Sequence, residues 1–369
     1  MGRLSRAEVF EPSEVAICHV FARVVRRCFL LGNDPITGKN YDHRKVWIEQ
    51  QLQRLAANFG IDLLCFSILS NHFHLILRSR PDVVVSWDDS EVAWRWMMLC
   101  PVRKKSDGSA EEPNEFELNS IRNDPDKLKG IRMRLSDISW WMRLLCQNIA
   151  MRSNREDQEI GKFWQARYRA VRLLDEEALL ACSAYVDLNP IRAAIAETIE
   201  TSDYTSAQRR VQALQEQANT LQKPATTVVL EDLSQVTAPL KDGMLSPLSI
   251  DERNDPVGPH ASLTSNRCSD KGFLAMSVSE YLELLDWTAR LTIAGKRGAT
   301  PEDTPKIFER WSIDPMTWTI LVRDFGRMFC QVAGNPKVID EARSRKTGRR
   351  FYVRQQAREL LATPYRSST

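Results

Sequence analysis

The chain has no C-x-x-C pair anywhere in its 369 residues, which argues against a zinc finger. Its eight cysteines (Cys18, Cys28, Cys65, Cys100, Cys146, Cys182, Cys268 and Cys330) stand singly, several within apolar runs. Reduced, buried thiols of a cytosolic protein have that distribution, so no disulfide framework is expected. No stretch reaches the roughly 18 apolar residues of a membrane span, and Met1 to Glu8 lacks the apolar core of a signal peptide. A soluble cytoplasmic protein with no membrane partner is expected. A glycine-rich phosphate cradle is also missing, so nothing announces a nucleotide cofactor. The net charge of +3 is nearly neutral and neither demands nor excludes nucleic acid. Local charge must decide.

What is present supports a folded protein of more than one domain. Hydrophobic residues make up 43% of the chain, and its length exceeds the usual single-domain size. Residues 16–31 are rich in Val, Phe, Ile and Arg and read as one long strand or hairpin edge, with Arg23, Arg26 and Arg27 on its polar side. Gly32-Asn33-Asp34-Pro35 marks a turn. From Asp42 to Asn58 apolar residues fall at helical spacing, and Gly60 stops that helix. Residues 61–69 and 72–77 then read as a hairpin joined at Ser70-Asn71. Strand, helix, strand, strand predicts an α+β fold with an antiparallel sheet.

Beyond Arg80 the pattern breaks. Residues of about 80–137 read as an insertion, with a helix near Ser90 to Leu99 and a polar, loop-like stretch from Lys104 to Asn114. Helices are expected over 136–153 and 176–188, and between them the run from Gly161 to Arg169 alternates basic and aromatic residues. Residues 207–276 read as a helix followed by a flexible linker. A helical accessory domain is expected over 277–369, with helices at Ser279 to Trp287 and Trp318 to Ala333. It ends in the basic residues Arg343, Arg345, Lys346, Arg349, Arg350 and Arg354.

Two constellations carry chemistry. His72-Phe73-His74 lies in an apolar run, and alternation along a strand turns both imidazoles to one face with Phe73 on the other. Such a pair suits a divalent metal, although ordinary strand histidines account for it equally. The second is Tyr185-Val186-Asp187-Leu188-Asn189-Pro190-Ile191-Arg192. Residues four apart share a helix face, so Tyr185 and Asn189 can look toward one point, and Pro190 ends or kinks the helix at Asn189. Alone, that segment is also explained by a half-buried aromatic and a helix stop. His19, His43 and His260 have no partner at ligand spacing and are read as ordinary.

In that order, His72-x-His74, Phe163-Trp164-Gln165-x-Arg167-Tyr168 and Tyr185-x-x-x-Asn189-Pro190-Ile191-Arg192 resemble the single-tyrosine HUH transposases, above all the REP-associated tyrosine transposases. The likeness runs from about Val15 to Ser206, so residues 1–206 are expected to form the catalytic domain. It implies a ferredoxin-like HUH nuclease fold and a nuclease that cuts hairpin-bearing or palindromic single-stranded DNA, leaving a 5′-phosphotyrosine and a free 3′-OH. It also implies a nucleoid-associated protein acting as a monomer or a homodimer. By the same resemblance Tyr185 is the nucleophile, and His72, His74 and Asn189 hold a divalent metal, Mg²⁺ or Mn²⁺. Tyr168 is the rival nucleophile, but no amide follows it by four residues, and base stacking suits it better. Lys162, Arg167, Arg169 and Arg172 are the expected phosphate contacts, with Tyr168 beside them on the DNA. Phe163 and Trp164 either stack on bases or fill core, with core the favoured expectation. Two other readings are a domesticated protein that binds structured DNA or RNA without cutting, and a hydrolytic metalloenzyme. The latter needs a nearby carboxylate base, and Asp187 faces elsewhere on its helix.

Overall fold

A computed structural model describes residues 13–106, 108–221, 242–251, 261–293, 308, 314–344 and 354–362. Among them five strands form one sheet: β1 (Ile17–Arg23), β2 (Ile61–Ile68), β3 (His72–Ser79), β4 (Arg169–Leu173) and β5 (Val332–Ala333). The order is β2-β3-β1-β4-β5, antiparallel except at the parallel β4–β5 edge. Because β3 opposes both β1 and β2, those two run the same way, with β3 inserted between them. Helix α1 (His43–Asn58) makes the crossover. The fold class is α+β, with a mixed sheet.

The long strand expected over 16–31 stops at Arg23. Val25–Arg27 form a 3-10 turn, in which Arg26 and Arg27 take positive φ of 52° and 62°. A left-handed pair of residues cannot continue a pleated strand. The expected hairpin forms over 61–68 and 72–79, and both strands are buried throughout except at half-buried His72.

The insertion carries the helix expected near 90–99 and no helix among the described residues of 104–114, and it adds three helices the sequence reading did not expect. After β3 come α2 (Pro81–Ser86), α3 (Asp89–Leu99), α4 (Glu115–Arg122) and α5 (Pro125–Leu135). Asn114 and Glu117 cap α4 reciprocally, each side chain taking the other's backbone N–H, and Asp124 with Pro125 starts α5. Both starts are local sequence signals of helix N-termini. These helices, with α1 and α6 (Ile138–Asp157), bury one face of the sheet, where Cys18, Val20, Ala22, Phe73, Leu75 and Leu77 meet Leu52, Phe59, Ile131 and Trp141.

The opposite face is covered by α7 (Glu176–Asp187), α8 (Asn189–Arg192), α9 (Ser206–Leu221) and the C-terminal helices α10 (Val278–Ile293) and α11 (Pro315–Met328). Two shorter helices follow, α12 (Pro336–Ser344) and α13 (Gln355–Ala362). The helix expected over 318–333 starts earlier, at Pro315 behind the Asp314 cap, and ends at Met328. Phe329 turns extended, and the chain joins the sheet as β5. Within the presumed linker, residues 242–250 and 261–276 pack against β2. Ser246 N donates to Leu63 O at 2.9 Å, and Met244, Leu245, Leu248, Phe273 and Leu274 are buried. They are anchored by Asp62, which pairs with Arg78 and Arg80, while the two arginines reach Gly272 O and Ser269 Oγ. Flexible-linker chemistry does not describe these residues. The remaining linker, His260 and the basic residues 345–350 lie outside the described residues.

Candidate active site

Strand register sets out the site. Arg23 on β1 stands opposite His72 on β3, and Phe21 stands opposite both His74 on β3 and Arg169 on β4. Directly opposed residues share a face, so these five side chains and His19 look toward α7 and α11. The His72 and His74 rings are 5.0 Å apart. Tyr185, in the last turn of α7, brings its ring within 5.5 Å of His74 and 5.8 Å of His19. Helix α7 can hold it there because Ala178 to Ala184 are buried all round. A helix apolar on every side belongs in a core.

His19 has no partner at ligand spacing in the sequence, and the fold gives it one. Its Nε2 shares a hydrogen bond with His74 Nδ1 at 2.8 Å. His72 Nδ1 is bonded to Asn71 Oδ1 at 2.6 Å. Each imidazole of the pair thus has its Nδ1 engaged. Burial holds all three histidines neutral: His19 is pushed down to about 3 and His72 to about 4, the latter with help from the Arg23 charge. His74 falls well below the ordinary value, from burial first and then the charges of His72 and His19.

Burial raises the Tyr185 hydroxyl above its ordinary value, and the guanidinium of Arg192 works against that rise. Arg192 lies 4.8 Å from the Tyr185 ring centre and donates through Nη2 to the carbonyl of Arg323. The phenol is also capped from the C-terminal region. Phe325 packs 5.7 Å from its ring, and a Cβ on Gly326 would sit 2.6 Å from its oxygen.

Beside these rings opens a cleft of about 900 Å³. His74 and Tyr185 line it, with Arg23, Arg27, Arg167, Arg169, Arg192, Arg323 and Arg327 and a single carboxylate, Asp324. Gln165 N bonds Arg23 O and Val25 N bonds Phe163 O, which seats the 163–167 stretch along the end of β1. Of the expected phosphate contacts, Arg167 and Arg169 line the cleft. Lys162 is exposed outside that lining. Arg172 is not there either: alternation along β4 turns it to the other face, level with Cys18, where it pairs with Glu14 at 3.3 Å. Tyr168 donates to Ser139 Oγ at 3.1 Å, on the far side of the 165–167 turn. Phe163 is buried, and Trp164 is half-buried with its Nε1 donating to Cys146 O.

Several buried polar atoms of this region have no hydrogen-bond partner: His19 Nδ1, Arg23 Nε, His74 Nε2, Asn189 Nδ2 and Arg192 Nη1. Folded interiors rarely leave such atoms bare, and a cluster of them marks a place completed by a ligand or ion. Among the described residues no three His, Cys, Asp or Glu side chains converge as a metal cage. A cation here would therefore rest on the two imidazoles and an oxygen donor. Asn189 opens α8 one turn beyond Tyr185, half-buried, and is not among the residues that line the cleft. Asp187 cannot act as a base at the cleft. It is buried on the other side of α7, bonded to Ser206 Oγ, to Ala207 N at 3.0 Å and to the Tyr281 hydroxyl at 2.7 Å.

Five cleft arginines escape the sequence reading. Arg192 closes the Tyr185 motif with no role assigned by it, and Arg23 and Arg27 are expected only on the polar side of a strand. Arg323 and Arg327 arrive on α11, more than a hundred residues from any motif, and no local signal identifies them.

No protein-family model matches the chain, and no curated protein matches it. Among solved structures it is similar to the "Structure of the REP associates tyrosine transposase bound to a REP hairpin". That alignment has a TM-score of 0.31 and 11% identity, and spans 59% of this chain and 89% of the other. A TM-score that low carries neither fold nor site. Both rest on the geometry. No helix among the described residues is long and apolar enough to cross a membrane.

Proposed function

We propose that the protein is an HUH-type enzyme, built on a ferredoxin-like sheet, that nicks and rejoins single-stranded DNA of hairpin or palindromic form. The observation that carries this reading is the meeting of His74 and Tyr185, from separate segments, at a cleft with seven arginines and one carboxylate, with the His72 ring 5.0 Å from His74. A cleft so charged suits a phosphodiester chain. The strand order β2-β3-β1-β4 supports the ferredoxin-like arrangement.

In this reading the Tyr185 oxygen attacks a DNA phosphorus. The new Oη–P bond forms as the P–O3′ bond breaks, the phenolic proton passes to water, and the departing O3′ takes up a proton. A buried phenol is a weak nucleophile near neutral pH, so its anion needs support. Arg192 supplies positive charge beside the ring, and the cleft arginines hold the phosphate in line. His72, His74 and Asn189 are the residues that would hold Mg²⁺ or Mn²⁺, which when bound offsets charge on the phosphate. Two imidazoles and an amide favour Mn²⁺. His19 orients His74 through their shared hydrogen bond, as partners of ligating histidines do. The phosphotyrosine conserves the energy of the phosphodiester bond for rejoining, so strand transfer needs no nucleotide. The protein would act as a monomer or homodimer in the cytoplasm, at the nucleoid.

One observation favours a second reading, a protein that binds such DNA without cutting it. Phe325 and Gly326 close over the phenol. The two are separated by incubating the protein with a labelled hairpin-bearing single strand and Mn²⁺ and then denaturing it. The enzyme leaves a covalent adduct that Tyr185→Phe abolishes while binding survives. Binding with no adduct in the unaltered chain supports the second reading, and an undiminished adduct in Tyr185→Phe contradicts the first.

A further inference from the structure

A second cavity, of about 480 Å³, lies around the corner from the arginine cleft. Ala166 and Arg167 line both, so the two openings meet at the 165–167 turn. In character they are opposites. The second cavity is walled by Trp140, Met142, Cys146, Trp164 and Tyr168, with the guanidiniums of Arg143 and Arg167 and no carboxylate. Its volume lies within the roughly 300–1,000 Å³ of small-molecule sites, which are mainly apolar with a few polar groups.

We propose that this cavity holds one unpaired base of the strand whose phosphates cross the arginine cleft. The assignment rests on reading that cleft as a single-stranded DNA site. Two features favour a base over an apolar side chain of a partner protein. The first is the pairing of aromatic walls with cationic ones: a nucleotide brings a π-face and an anion together, and this cavity offers a partner to each. The second is continuity. A strand leaving the arginines at Arg167 meets the aromatic walls next, without crossing any carboxylate.

The walls are set in advance. Trp164 Nε1 donates to Cys146 O at 2.8 Å, and its ring packs edge-on against Phe73 and Phe163. The Tyr168 hydroxyl donates to Ser139 Oγ. Trp140 is flanked by Arg134 and Arg143, each 4.7 Å from its ring centre. Fixed rings lose little conformational freedom when a base arrives. Tyr168 thus belongs to a base pocket, which separates it from the chemistry at Tyr185.

The test measures binding of a short oligothymidylate and of an abasic phosphate chain of equal length, at one salt concentration. The unaltered protein should hold the thymidylate about tenfold more tightly. Tyr168→Ala should lose that margin yet keep its affinity for the abasic chain, and Tyr168→Phe should keep both. A thymidylate carrying 5-iodouracil, irradiated on the unaltered protein, should crosslink to Trp140, Trp164 or Tyr168, which needs no variant to fold. Equal affinity for the two chains, or crosslinks only elsewhere, overturns the pocket and leaves the cleft standing. Failure to bind either chain overturns the DNA reading and the pocket with it.

Discussion

The two faces of the sheet are built from the same strands and differ in almost every other respect. One face presents Cys18, Val20, Ala22, Phe73, Leu75 and Leu77 to α1, α6 and the insertion helices, and is closed and apolar. The other presents His19, Phe21, Arg23, His72, His74 and Arg169 at one end, with Ile76, Val171 and Leu173 packed under α7 and α11 toward the other. A period of two makes this division possible, because alternate residues answer to different demands. The first face gives stability. Buried polar atoms without partners occur under both faces, Trp141 Nε1 under the first, but on the second Arg23 Nε, His74 Nε2 and Arg192 Nη1 gather at one cleft, where a ligand can complete them.

Substitutions on each face should show this division, and the largest effect is expected at the phenol. Tyr185→Phe should abolish the DNA adduct with little change in melting temperature. Its mirror image is Leu75→Ala on the closed face, expected to cost about 2–5 kcal/mol by chemical denaturation and to leave DNA affinity of the folded protein unchanged. A third substitution probes the polar end: His19→Phe should weaken Mn²⁺ binding by about 10–100-fold, read by titration calorimetry, since it removes the group that orients His74. Unchanged Mn²⁺ affinity there would return His19 to the ordinary role first given it.

A change of pH should distinguish the faces without mutation. In metal-free protein, His19 and His72 titrate near 3 and 4 when folded, against about 6.5 unfolded. The unfolded chain therefore binds more protons between those values, and stability should be full above about pH 6.5 and fall as pH drops toward 4. Replacing His19 by Phe should flatten the curve over that window. The smallest effect belongs to the cleft rim. Arg327→Ala should lower the slope of log affinity against log salt by about 1 while leaving melting unchanged.

The parts of the candidate site that the sequence shows are local. His72 and His74 share a strand, Tyr185 and Asn189 are one helical turn apart, and the β2–β3 hairpin is adjacent in the chain. What could not be read depends on distant pairing. His19 meets His74 across 55 positions, a contact that register creates and periodicity does not reveal. Arg323 and Arg327 reach the cleft because α11 packs on α7, and their helix pattern carries no mark of that destination. Arg172 was assigned to DNA by its charge and neighbourhood, and strand alternation sends it to the other face. In the insertion the helix near 90–99 is legible, whereas the helix that follows Asn114 is not expected, although Asn114 and Glu117 form a helix start.

The central claim is that one phenol, not its neighbour in the aromatic pocket, makes the bond to DNA. Trypsin separates them, since Tyr185 falls in the peptide 173–192 and Tyr168 in a fragment of its own. Mass spectrometry of the digested adduct should find the nucleotide phosphate on the 173–192 peptide at Tyr185. Finding it on Tyr168, or on any other residue, would contradict the account.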